Sequence, residues 1–175
     1  MTKQQNHILA LDPSMGGFGW AVLDPEHNIL AKGCIKTAPS PKKLKMRKGD
    51  DRARRIQEIN TKLIKVIKHY NIKLIVSEQP HGSQSAIAAL MIGIVLGIVQ
   101  TLADSFNIAI EYYFEGDCKN HLLGKRSAEK KETINAIAKE YKVDWTGIKY
   151  KDEAVADALA VYHVARFQSS IMRIL

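Results

Sequence analysis

The chain has only two cysteines in 175 residues, Cys34 and Cys118, so a disulfide framework is excluded. They also lack the close pairing of a thiolate zinc site. Aromatic residues make up 7% and prolines number five, and neither repeats nor low-complexity tracts interrupt the sequence. Met1 to Leu11 carries no apolar run followed by a small-residue cleavage site, which favours an intracellular protein, cytoplasmic or nucleoid-associated. The most apolar stretch, Ala86 to Val99, falls well short of the roughly 20 residues of a spanning helix, so a buried core helix and no membrane are expected. Acidic residues are outnumbered, 18 against 26 Lys and Arg, giving a net charge of +8 that suits a polyanionic partner.

Hydrophobic patterning supplies the architecture. His7 to Leu11, Phe18 to Leu23 and Ile29 to Thr37 read as three strands separated by turns at Asp12-Pro13-Ser14 with Gly16-Gly17, and at Asp24-Pro25 with His27-Asn28. Nine Lys and Arg lie between Lys36 and Arg55, interrupted by Asp50 and Asp51. Ile56, Ile59, Leu63, Val66, Ile67 and Tyr70 then recur at helical spacing, with Asp50 or Asp51 placed to cap the helix. Ile72 to Val76 reads as a strand buried on both faces and ends at Ser77-Glu78-Gln79-Pro80.

A helix from about Ser85 to Ala103 carries Ala89, Gly93 and Gly97 four apart, a stripe that permits close approach of a sheet or a second subunit. Ile108 to Phe114 is the fifth strand, followed by a basic segment from Cys118 to Arg126. Two helices remain, about Ala128 to Tyr141 and from near Asp152 onward. The order β-β-β-α-β-α-β-α-α predicts an α/β fold with a mixed five-stranded sheet flanked by helices, in one domain spanning 1–175.

Asp12 ends the first strand and Glu78 the fourth. If these strands are parallel neighbours, both carboxylates meet at one edge of the sheet, where open α/β sheets place their sites. Glu153 and Asp157 are four apart and share a helix face, a like-charge arrangement that costs a few tenths of a kcal/mol unless a cation offsets it. Hard oxygen donors without His or Cys suit Mg²⁺, with Mn²⁺ able to substitute. Two such ions about 4 Å apart can generate hydroxide and stabilise a leaving oxygen in phosphodiester cleavage. Taken singly, each acid is equally well a turn opener, a strand end or a first-turn helix residue.

Ile8-Leu9-Ala10-Leu11-Asp12-Pro13-Ser14 followed by Gly19-Trp20-Ala21 resembles the opening of the RuvC-type Holliday junction resolvases, a ribonuclease-H-like family. Val76-Ser77-Glu78-Gln79-Pro80 is similar to their second acidic motif. Lys119-Asn120-His121-Leu122-Leu123-Gly124 with Ser127-Ala128-Glu129-Lys130 resembles their basic segment, and Ala156-Asp157-Ala158-Leu159-Ala160-Val161 their last acidic motif.

The resemblance implies an endodeoxyribonuclease in which Asp12, Glu78 and Asp157 bind metal while Lys119 and Lys130 meet the scissile phosphate or its charge. The family's fourth acid stands three residues before the last Asp, where this chain has Ala154. Glu153 is the nearest substitute, with Asp152 beside it. His81 takes the place of a bulky residue presented to the junction. Lys43, Lys45, Arg47, Lys125 and Arg126 would follow the duplex arms by phosphate contact.

The implied substrate is branched DNA, with forks and flaps as alternatives to the four-way junction and no small-molecule cofactor. A two-fold substrate implies a homodimer, to which the Ser85 to Ala103 helix would contribute. A silent ribonuclease-H-like DNA-binding protein is the main rival. An actin-like sugar kinase would need a second domain with its own Asp-Gly hairpin, and this sequence has none.

Overall fold

The computed structural model describes residues 6–175. Strands β1 (His7–Asp12), β2 (Gly17–Leu23), β3 (Ile29–Lys36), β4 (Ile72–Gln79) and β5 (Ala109–Phe114) form one sheet in the order β3-β2-β1-β4-β5. The first three make an antiparallel meander, and β4 and β5 add on in parallel. This is the mixed α/β arrangement expected from the sequence.

Side chains of successive strand residues point to opposite faces, and both faces are covered, so the central stretches Ile8 to Leu11 of β1 and Leu74 to Val76 of β4 are apolar and buried. On one face Ile8, Ala10, Leu74 and Val76 meet Leu159 and Tyr162 of α5 (Lys149–Gln168) and Ile137 of α4 (Lys130–Glu140). On the other, Leu9, Leu11 and Ile75 meet Ile59 and Leu63 of α1 (Lys48–His69) and Val95 and Val99 of α2 (Ala86–Phe106). Gly19 of β2 lies against α5 so closely that a Cβ there would stand 2.0 Å from the carbonyl oxygen of Ala154.

Four sequence expectations need correction. The basic segment after β5 is a helix, α3 (Glu115–Leu123), closed by Gly124 in the left-handed region at φ 72°. Only Cys118 in it is buried, which leaves almost no periodic signal. Helix α1 begins at Lys48, so Asp50 and Asp51 lie inside its first turn and pair with Arg47 and Arg54 instead of capping it. Helix α5 starts at Lys149, ahead of Asp152.

Helix α2 is no buried core helix. It is 21 residues long, and 28% of its most apolar 18-residue window is buried. By length and composition alone it could cross a membrane. Its C-terminal half packs Val95, Ile98, Val99 and Leu102 inward, while Ile87 and Leu90 near its start are 70% and 47% exposed.

Candidate active site

The strand register assembles the acids. Leu11 pairs with Ser77 across β1 and β4, which sets Asp12 beside Glu78 at the C-terminal ends of adjacent parallel strands. Tyr113 of β5 pairs with Glu78 and Phe114 with Gln79, so α3 opens at the same edge with Glu115. Asp12 is also the register partner of Gly19, on which the Ala154 turn of α5 rests. Asp157 follows three residues later and is buried.

These carboxylates repel one another in a poorly solvated place. Asp12 is held well above the usual carboxylate range, first by burial, then by the charges of Glu78 and Asp157. Burial followed by Asp157 pushes Glu78 up to about 8. Asp157 is raised by burial although Lys130 pulls it down.

Two ammonium groups answer the acids. Lys130 donates to Asp157 Oδ2, and this partnership keeps it cationic against the effect of its own burial. Lys119, whose side chain is 13% exposed, pairs with Glu115 and lowers both Glu78 and Asp157. The donor set is oxygen-only and its charge is under-compensated, which fits a divalent hard cation. Among the described residues, no three acid, imidazole or thiol groups stand close enough together to hold a metal ion in their present positions.

Residues 8–164 match the family of the crossover junction endodeoxyribonuclease RuvC. The chain belongs to that family. It is similar to the RuvC endonuclease of Rickettsia bellii (strain OSU 85-389), 28% identical over 156 residues that cover 87% of this chain and 93% of that one. It is also similar to that of Rickettsia akari (strain Hartford), 29% identical over 163 residues, covering 91% and 98%. A structure of T. thermophilus RuvC in complex with Holliday junction substrate superposes with a TM-score of 0.75 at 19% identity, covering 94% of this chain and 95% of that one. That likeness establishes the fold as the ribonuclease-H-like fold of RuvC.

Within the RuvC fold, the structure brings Asp12, Glu78, Asp157, Lys119 and Lys130 to one edge of the sheet. Glu153 stands 4.0 Å from Lys149 Nζ and is not among the charges acting most strongly on the three acids. Asp152 is occupied structurally, accepting from Thr146 N at 2.9 Å and Thr146 Oγ1 at 2.8 Å. His81 is exposed and stacks on Phe114, with ring centroids 4.7 Å apart and planes 4° from parallel.

The basic connection leaves β3 at the acid end, because Lys36 pairs with Gly17 next to the β1–β2 turn. Lys43 and Lys45 there are exposed, while Arg47 pairs with Asp50 at 2.7 Å. Lys125 pairs with Glu132 at 2.6 Å and Arg126 with Asp117 at 3.0 Å. Such surface pairs contribute about 0–1 kcal/mol, so a phosphate can displace the carboxylate.

Two residues at this edge were not singled out from the sequence, Glu115 and Phe114. The available signal was spacing, since Glu115 precedes Lys119 by one helical turn and Phe114 closes a strand parallel to the one bearing Glu78.

Proposed function

We propose that this protein is a divalent-metal-dependent endonuclease that resolves four-way DNA junctions by paired, symmetric nicks. The observation that carries the reading is the under-compensated cluster of Asp12, Glu78 and Asp157 at one sheet edge, in a chain of the RuvC family. Asp12, Glu78 and Asp157 would hold Mg²⁺ or Mn²⁺, which when bound activates water and offsets charge on the cleaved phosphodiester.

Lys119 and Lys130 lie where the reacting phosphate would approach the acids, and each supplies fixed positive charge as negative charge develops. Lys43, Lys45, Arg47, Lys125 and Arg126 steady the duplex arms through phosphate contacts, which position DNA without reading its sequence. The exposed His81 and Phe114 rings offer a face on which an unpaired base can stack. An enzyme of this kind works where DNA is, in the cytoplasm or at the nucleoid.

Two symmetric cuts require two copies related by a two-fold axis. The exposed apolar start of α2 supports such a homodimer, as does a groove of about 540 Å³ between α1 and α2 lined by Ile64, Ile94, Ile98 and Leu102. Gly93 and Gly97 on the outer side of α2 would let a second copy approach closely.

The test is a labelled synthetic four-way junction, a fork and plain duplex, each incubated with Mg²⁺, Mn²⁺ or chelator, alongside Asp12→Asn. Paired nicks on the junction that need metal and vanish in the variant are the expected result. Equal cutting of forks would remove the junction preference. Junction binding without cutting in either metal would replace the enzyme reading with a binding protein.

A further inference from the structure

We infer that Glu115 is the fourth carboxylate of the metal site, joining Asp12, Glu78 and Asp157 in the role that the spacing on α5 suggests for Glu153. The inference rests on the metal-dependent reading above and concerns which residues of this chain hold the ion.

Three neighbouring parallel strands deliver the acids. β1 ends at Asp12, β4 carries Glu78 beside it, and β5 ends at Phe114 opposite Gln79, so Glu115 is the next residue at the same edge. Its charge acts on Asp12, Glu78 and Asp157, three residues from three other elements. Lys130, which bonds Asp157, acts in turn on Glu115.

Helix α5 already supplies Asp157 to the cluster. The turn that meets Gly19 carries Ala154, and Glu153 beside it faces Lys149. With Ala154 at that turn and Glu153 beside Lys149, α3 offers a further oxygen donor at the same edge in Glu115. The partner of Glu115, Lys119, is itself drawn inward and acts on Glu78 and Asp157, so the pair belongs to the cluster instead of the surrounding surface.

Charge counting gives the same answer. Asp12, Glu78 and Asp157, when ionised, carry three negative charges against the two positive charges of Lys119 and Lys130, leaving one uncompensated. With Glu115 the excess becomes two, which one divalent ion neutralises. The side chain of Glu115 is 41% exposed, so it also remains open toward an arriving ion and substrate.

The test measures Mn²⁺ uptake by DNA-free protein, using electron paramagnetic resonance for affinity and proton relaxation for the number of waters on the bound ion. Wild type, Glu115→Gln, Glu115→Asp and Glu153→Gln are compared, with metal-free junction binding as the check on folding. Glu115→Gln is expected to weaken Mn²⁺ binding roughly tenfold or more and to add a water to the ion. Glu115→Asp should recover part of the loss, and Glu153→Gln should cost less than Glu115→Gln.

Unchanged Mn²⁺ affinity in Glu115→Gln would overturn the inference, even if cleavage slowed, because Glu115 would then only anchor Lys119. A larger loss in Glu153→Gln, or no Mn²⁺ uptake by wild type, would overturn it too. If wild type takes up Mn²⁺ through Glu115 yet cuts no junction, the functional reading fails while this assignment stands.

Discussion

Asp24 and Asp12 lie at opposite ends of the same hairpin, β1 and β2, and their surroundings differ. Asp24, 7% exposed, accepts from Asn28 N at 2.7 Å and Asn28 Nδ2 at 2.9 Å. Nearby, His27 Nδ1 meets Tyr162 Oη at 2.6 Å, and Tyr141 Oη meets His163 Nδ1 at 3.2 Å. That end is held by hydrogen bonds within the protein. At the other end Asp12 and Glu78 face further carboxylates, and burial and repulsion together raise both above the usual carboxylate range. A buried polar group that serves the fold is partnered within the protein, whereas buried carboxylates set against one another mark a candidate functional site.

The sharpest way to break that contrast is to neutralise both aspartates. Asp12→Asn should reduce metal-dependent junction cleavage by on the order of 10³-fold with junction binding intact, while Asp24→Asn should keep cutting and lose about 1–3 kcal/mol of stability to urea. Equal loss of cleavage in both would mean that the two ends are not functionally distinct.

Next in size is Lys130→Met, expected to slow cleavage by on the order of 10²-fold. Its pH–rate profile should also move upward, because the cation that lowers Asp157 has gone.

A third measurement concerns stability. Glu78 has its folded-state pKa raised from 4.5 to about 8, so the folded state prefers it protonated. Its contribution is favourable at low pH and is lost as pH rises from about 4.5 to about 8. A divalent ion replaces those protons, so Mg²⁺ should raise the thermal midpoint more at pH 8 than at pH 6. An equal rise at both values would count against an ion held by these acids.

The smallest effect belongs to the basic connection. Changing Lys43, Lys45 and Arg47 together to Ala should flatten the dependence of log affinity on log salt by about 0.9 for each phosphate that is no longer neutralised. Most of the change should come from the two lysines, since Arg47 already has Asp50 as a partner.

The sheet was legible because its strands carry the pattern that two covered faces impose. Ile8 to Leu11 and Ile72 to Val76 could be little else, and their order left few topologies. Helix α3 was hidden, since a short helix with one buried residue has no apolar stripe. The extent of α2's exposure was hidden for the opposite reason: a helix apolar on every side does not reveal which side is covered.

At the site, Asp12, Glu78 and Asp157 were readable from strand ends and motifs. Glu153 was expected from four-residue spacing, which predicts a face shared with Asp157; in the structure its carboxylate stands 4.0 Å from Lys149 Nζ. Glu115 was not singled out, because the helix it opens was itself hidden. Only the register of β5 against β4 shows which edge it opens onto.

The close approach of Gly19 to Ala154 makes a hydrogen atom the spacer between β2 and α5. A methyl group at position 19 would meet the carbonyl oxygen of Ala154 at 2.0 Å, so β2 or the turn of α5 that leads to Asp157 would have to shift. A lineage could therefore lose its chemistry through a substitution that touches neither acid, adds no charge and leaves both cores intact. Drift at position 19 is confined by the tolerance of the distance it sets.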